Sequence, residues 1–336
     1  YVLMRKYKAV LAALIASGVL VTTIGITQHS DKSELPFEVI YQCEGILGQV
    51  SVIDFMDVNK SKLRSLLINA IPQNLMIKKH MPFSKWSYIH RIATLTSNKP
   101  KNSKVLLIGL AGGNLAMELK GLGFQVDAVE LDKRMPFVAE EYFGFTSDSI
   151  NIIIDDGRHY INNTNEIYDI IIVDVLTGEV QPQHLFTKEA MENLKRITHS
   201  DALVMFNLQG FFKGKDGLAA RSIYKTLLSA GFKIKYNANL DGEGKDGDIL
   251  FIASHGNEPE IDNINESRLN LCCKILAFEY SELITNEVIE ISDASILTDN
   301  KPLLEKMNVL HSENWRAERI ESYSIHLAKN SFSLFK

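Results

Sequence analysis

Three acidic residues stand at or just beyond the ends of apolar runs. Glu130 lies at the end of FQVDAVEL (124–131), Asp156 follows INIII (150–154), and Asp174 closes YDIIIVD (168–174). Short, largely apolar runs read as strands buried on both faces. In sheets of such strands, ligands bind beyond the carboxyl ends. A carboxylate at position 130 can accept hydrogen bonds from ribose hydroxyls. One at position 156 can accept from an adenine amino group, or it can cap a helix N-terminus. One at position 174, behind the four apolar residues 170–173, can orient and desolvate a cation, or cap a loop.

Upstream of these acids runs Gly109-Leu110-Ala111-Gly112-Gly113-Asn114. Glycines allow a sharp turn and a close backbone approach to a ligand, and a helix starting there turns free N–H groups toward it. Glu130 comes 21 residues after Gly109, the ribose-binding distance in a strand–glycine–helix–strand unit. The spacing is not G-x-G-x-x-G, because Ala111 and Asn114 break it, so a pyrophosphate cradle is not expected. A phosphate-free nucleoside joined to a sulfonium fits better. Asp156-Gly157 would sit on its adenine side.

The elements that must position these residues follow from pattern. KVLLIGL (104–110), 124–131, 150–154, 168–175, 202–208 and 249–253 read as strands. Helical stretches at 114–122, 133–143, 187–198 and 218–230 alternate with them, which implies a mostly parallel α/β sheet covered on both faces. Ahead of it, 37–55 alternates around Glu44-Gly45 as a hairpin, and 63–71 continues as a third strand. Three parts are expected: an N-terminal segment 1–30, a small antiparallel β unit 38–75, and a catalytic domain 84–336. Asp241–Asp248 has the composition of a calcium loop but not its twelve-residue spacing, and reads as a hairpin turn.

Residues 9–26 form an apolar run that as a helix would span about 27 Å, near the ~30 Å hydrocarbon core. The expectation is a transmembrane anchor, with a cleaved signal peptide and a buried soluble helix as the alternatives. Arg5, Lys6 and Lys8 precede the run, which places the following domain outside the cytoplasm, whereas a cytosolic cosubstrate would place it inside.

With 336 residues, 46% hydrophobic, 23% charged and net charge −5, the chain is neither disordered nor polytopic. Mild acidity argues against nucleic acid as the main partner. Three cysteines (Cys43, Cys272, Cys273) and nine scattered histidines show no metal-ligand spacing, so no metal is expected.

The motifs together resemble the spermidine synthase family, the polyamine aminopropyltransferases, most closely a divergent bacterial branch in which the domain follows transmembrane helices. VLLIGLAGGNL (105–115) is similar to the family's glycine turn, AVELD (128–132) to its acidic ribose-binding strand, and DDGRHYI (155–161) to its adenine segment. DIIIVDVLTGEVQPQHLFTKEA (169–190) is similar to its catalytic loop, and LTDNKPLLE (297–305) to a tail motif. The resemblance implies a Rossmann-like S-adenosylmethionine-dependent transferase fold. It implies cosubstrate contacts from Gln49, Gly109, Gly112, Gly113, Glu130, Asp156 and Gly157, with Asp174 and Tyr88 catalytic. Thr177 stands where a second catalytic-loop acid is usual, with Glu179 the nearest replacement, so Asp174 and Glu179 would hold the acceptor.

The implied reaction moves an aminopropyl group from decarboxylated S-adenosylmethionine to a diamine such as putrescine. An S-adenosylmethionine-dependent methyltransferase and a non-catalytic nucleoside- or polyamine-binding domain are the alternatives. The family's β unit often pairs subunits, which allows a homodimer.

Overall fold

The computed structural model describes residues 37–57, 60–176, 181–238, 246–270, 273–274, 284–285, 288–310, 312–314 and 316–317. A four-stranded antiparallel sheet comes first, in the order β1 (Phe37–Cys43), β2 (Val50–Met56), β3 (Lys62–Ile68), β4 (Ile71–Ile77). The expected third strand, 63–71, is broken at Asn69-Ala70. Both residues take positive φ (50° and 65°), so the chain turns there and returns as β4 despite Pro72.

After helix α1 (Ser87–Thr96) the alternating unit begins: β5 (Lys104–Ile108), α2 (Asn114–Gly121), β6 (Gln125–Glu130), α3 (Met135–Phe143), β7 (Ile150–Ile154), α4 (Gly157–Asn163), β8 (Tyr168–Val173), α5 (Lys188–Arg196), β9 (Thr198–Phe211) and α6 (Leu218–Ser229). It ends with β10 (Lys233–Ala238), β11 (Asp246–Ser254), the short β12 (Ile284–Thr285) and a last turn, α7 (Leu304–Met307). The eight strands run in the order β12-β10-β11-β9-β8-β5-β6-β7. Pairings from β7 to β9 are parallel, and those from β9 to β12 antiparallel. The α/β class and the mostly parallel sheet match the sequence expectation.

Strand alternation splits the core into two layers. Leu106, Ile108, Ile171, Val173, Val204 and Phe206 pack against α4, α5 and α6. Val105, Leu107, Ile170, Ile172, Leu203 and Met205 pack against α1 and α2. The small sheet lies against α3 through Val50, Val52, Leu66 and Met76, which meet Met135, Val138 and Phe143. Buried Asp54 reinforces that contact. Arg64 grips both of its oxygens at 2.6 and 3.0 Å, Lys78 reaches it at 2.8 Å, and Arg64 also donates to the Tyr142 carbonyl of α3 at 2.9 Å. Burial alone would raise the Asp54 pKa, but the two cations bring it down to about 2.

A second polar knot pins the segment after β11 to α1 and α2. Buried Glu118 lies 2.9 Å from His90 Nδ1 and also accepts from the Asn270 amide, with Cys273 Sγ at 3.6 Å. The far nitrogen of His90 meets the Ser84 carbonyl at 2.9 Å.

The expectation of a membrane anchor is corrected here. Among the described residues no helix is long and apolar enough to cross a membrane. The longest, α6, has 12 residues, or about 18 Å against the ~30 Å required. Residues 9–26, on which the expectation rested, lie outside the described residues, so a transmembrane helix and a membrane-anchored localisation have no support in the structure.

Candidate active site

The sheet changes direction of growth at β5: the chain adds β6 and β7 on one side, then crosses back to place β8 and β9 on the other. Beyond the carboxyl ends at this switch point lies a cavity of about 490 Å³. Gly109, Glu130, Asp155, Asp156, Gly157 and Asp174 line it from the strand ends, and Trp86 and Tyr88 from the start of α1. Leu47, Ile68, Pro72 and Gln73 close it from the small sheet.

Two glycines make this convergence sterically possible. Gly109 has φ +99°, and a Cβ there would overlap the Asp174 carbonyl oxygen, so only glycine lets β5 abut the end of β8. The Asp174 N–H donates to the Ile108 carbonyl at 3.0 Å across that junction. A Cβ at Gly157 would overlap Ile108 Cγ2, so this glycine lets α4 start directly against β5.

Glu130 is held by three backbone amides: Leu110 (2.9 Å) and Ala111 (3.3 Å) donate to Oε2, and Asp132 (2.8 Å) to Oε1. Burial nevertheless raises its pKa above the usual carboxylate value. Asp156 caps α4, its Oδ1 accepting from the His159 amide at 2.9 Å, and its Oδ2 meets His184 Nε2 at 3.2 Å. The helix-cap reading of Asp156 is therefore realised, in a residue that also lines the cavity. Arg158 ties this end together by donating to the His184 carbonyl (2.8 Å), Thr187 Oγ1 (2.9 Å) and Asp299 Oδ2 (2.9 Å), which gives the tail motif a structural place beside the loop at Pro182–Leu185.

Asp174 is the electrostatic centre. Asn207 donates to Oδ1 at 2.9 Å and the Tyr88 hydroxyl to Oδ2 at 3.2 Å. Burial pushes its pKa up to about 6; the two hydrogen bonds oppose that, and the charge of Asp248 adds to it. Burial also drives the Tyr88 phenol well above its usual value, with Asp174 and Asp248 pushing the same way. Tyr88 is therefore a hydrogen-bond donor at neutral pH and not a base.

Other sequence-assigned residues fall elsewhere. Gln49 does not line the cavity: its side-chain amide donates to Glu44 at 2.5 Å and its backbone amide to Asn69 Oδ1 at 2.9 Å, holding the β1–β2 turn. Gly112 and Gly113 are also outside the lining. A Cβ at Gly112 would strike the Asn74 amide, and one at Gly113 the Phe145 ring, so these glycines serve packing. In the turn ahead of α2, the Leu110 and Ala111 N–H groups are taken by Glu130. Glu179 lies outside the described residues. Among the described residues, His90, Glu118 and Cys273 bring potential ligand atoms within 4.8 Å of one another, buried and away from this cavity.

Sequence reasoning missed Asn207, Gln209 and Asp248, all cavity residues. The signal was present for the first two: in VMFNLQ (204–209) polar residues enter at period two in an otherwise apolar strand. Asp248 was absorbed into an expected turn and is instead in β11.

Comparison with known proteins finds related domains, sequences and folds. Residues 85–225 match the model of the spermine/spermidine synthase domain. The polyamine aminopropyltransferase of Vibrio vulnificus is 29% identical over 212 residues, 60% of this chain and 68% of that protein. That of Thermoplasma acidophilum is 28% identical over 53% of this chain and 66% of its own length, and that of Streptococcus uberis 32% over 38% and 47%. The chain thus spans about half to two thirds of these relatives. The crystal structure of a probable spermidine synthase from Corynebacterium glutamicum superposes with TM-score 0.55 at 20% identity, over 65% of this chain and 80% of that one. Spermidine synthase from Thermotoga maritima superposes with TM-score 0.52 at 16% identity, over 81% and 88%; both show a shared fold. The domain match over residues 85–225, the related sequences and the shared fold agree in making this chain similar to the spermidine synthase family.

Proposed function

We propose that this chain is an aminopropyltransferase that moves the aminopropyl group of decarboxylated S-adenosylmethionine onto a diamine such as putrescine. The observation that carries the reading is a raised-pKa carboxylate, Asp174, at the end of β8, sharing one cavity with Glu130 at the end of β6. A carboxylate offers about four acceptor positions, and three of those on Glu130 are used by amides, which leaves capacity for a ribose hydroxyl. Asp156 and Gly157 line the purine end. Relatives named polyamine aminopropyltransferase support the choice of reaction.

The acceptor amine has a pKa near ~10 in water and arrives largely protonated. Asp174, ionised above about pH 6, holds it and accepts its proton as the free amine forms. The nitrogen lone pair then attacks the aminopropyl carbon next to sulfur. The C–N bond forms as the C–S bond breaks, and its electron pair passes to the sulfonium, leaving neutral methylthioadenosine. Nothing covalent is required of the protein, so the rate gain is positional: Tyr88 and Asn207 fix the Asp174 carboxylate from two sides.

The test is incubation of the purified chain with decarboxylated S-adenosylmethionine and putrescine, reading spermidine and methylthioadenosine in equal amounts. No product at high enzyme concentration overturns the proposal. Tighter calorimetric binding of the carboxylated cosubstrate would point to methyl transfer instead.

A further inference from the structure

The two carboxamides of β9 each hold a carboxylate. Asn207 donates to Asp174 Oδ1, and Gln209 to Asp248 Oδ1. Strand geometry dictates the arrangement. Asn207 and Gln209 are two apart and share one face. Val173 pairs with Phe206, so Asp174 follows beside Asn207, while Asp248 lies directly opposite Gln209 in the antiparallel ladder. β9 overruns the end of β8 by five residues, 207–211, and this overhang is what the start of β11 pairs with. All four side chains fall on the parity of Met205, Ile172 and Leu250, the layer covered by α1, which carries Tyr88. All four line the one cavity.

The acceptor wall of this site therefore holds a second acid, supplied by a different element from the loop after β8. We propose that Asp248, oriented by Gln209, binds the distal ammonium of a short α,ω-diamine whose reacting nitrogen is held by Asp174. Asp174 and Asp248 stand one strand to either side of β9 and two residues apart along it, about 12 Å between backbones, a span that a four-carbon diamine with a hydrogen bond at each end matches. Two like charges in one partly dry cavity repel, and a dication spanning them relieves both. That makes Asp248 a specificity-determining residue: it selects for a second positive charge on the acceptor. This assignment rests on the transferase reading above.

The experiment compares wild type, Asp248→Asn and Asp248→Glu with putrescine and with butylamine, its monoamine counterpart. In Asp248→Asn the KM for putrescine should rise about tenfold or more, the size of one partly desolvated charge pair. The KM for decarboxylated S-adenosylmethionine should change far less, the loss for butylamine should be much smaller than for putrescine, and the glutamate variant should recover part of the putrescine affinity. An unchanged putrescine KM, or an equal loss for diamine and monoamine, overturns the assignment. Should wild type transfer nothing, the transferase reading fails by itself. Calorimetric titration of putrescine into the methylthioadenosine-loaded chain then decides the role of Asp248. Binding weakened about tenfold in Asp248→Asn upholds it, and equal or absent binding in both proteins overturns it.

Discussion

Asp174 holds a pKa near 6 because burial raises it while hydrogen bonds from Asn207 and Tyr88 lower it. Replacing Asn207 by leucine removes the shorter of those bonds, at 2.9 Å, and keeps the side chain's approximate volume. A hydrogen bond to a charged group contributes about 1.5–3 kcal/mol, and one pKa unit corresponds to about 1.4 kcal/mol, so the expected rise is about 1–2 units. If the value moves from about 6 to about 7.5, the ionised fraction at pH 6.5 falls from roughly three quarters to roughly one tenth. The profile of kcat/KM for the acceptor from pH 5 to 9 reads this directly. Asn207→Leu should be about eightfold slower than wild type at pH 6.5 and nearly equal at pH 9. Tyr88→Phe, which removes the longer 3.2 Å bond, should move the acidic limb in the same direction by a smaller amount. A limb that stays in place or moves down refutes the reasoning. So does a loss of equal size at every pH, which would mean that Asn207 acts through structure and not through the Asp174 charge.

Asp174→Asn should abolish turnover yet stabilise the fold. The folded pKa lies about 2 units above that of an unfolded aspartate, so stability falls as pH rises from about 4 to 6 and stays lowered by about 2–3 kcal/mol above that, which chemical denaturation at pH 7.5 would show relieved in the variant. Gly109→Ala places a Cβ against the Asp174 carbonyl at φ +99°, and a urea melt should show a loss of about 1–3 kcal/mol or more together with reduced activity. His90→Gln breaks the buried contact with Glu118 and should cost about 3–5 kcal/mol. Burial lowers the His90 pKa, but the Glu118 bond and the Ser84 carbonyl outweigh it, so the folded value is raised. The stabilisation is therefore present below about pH 6.5 and lost as pH climbs through the folded value, and thermal melts across pH 6–9 should show wild type and variant converging upward in pH.

Much of the sheet was legible because its strands are short apolar runs with a chemical signature at each end. Lys104–Ile108, Gln125–Glu130, Ile150–Ile154 and Tyr168–Val173 fall within a few residues of the expected positions. β4 was not legible, because the run 63–71 is apolar throughout and only the positive φ of Asn69 and Ala70 marks the turn. Gln49, Gly112 and Gly113 were assigned to a ligand by position in a motif. Three-dimensional packing gives them to a turn, to Asn74 and to Phe145.

By itself the sequence determined the alternation of strand and helix, the acids at strand ends and the glycine turn after β5, since each depends on local periodicity or on a residue's own steric limits. Only the tertiary structure decided which acids share a cavity. Asp174 and Asp248 are brought onto one wall by the ladder pairings of β8 and β11 with β9, across 74 residues of chain, and no local pattern encodes a contact at that separation. The pKa of Asp174 belongs to the same class, because it depends on burial and on Tyr88, Asn207 and Asp248, three neighbours supplied by three different elements.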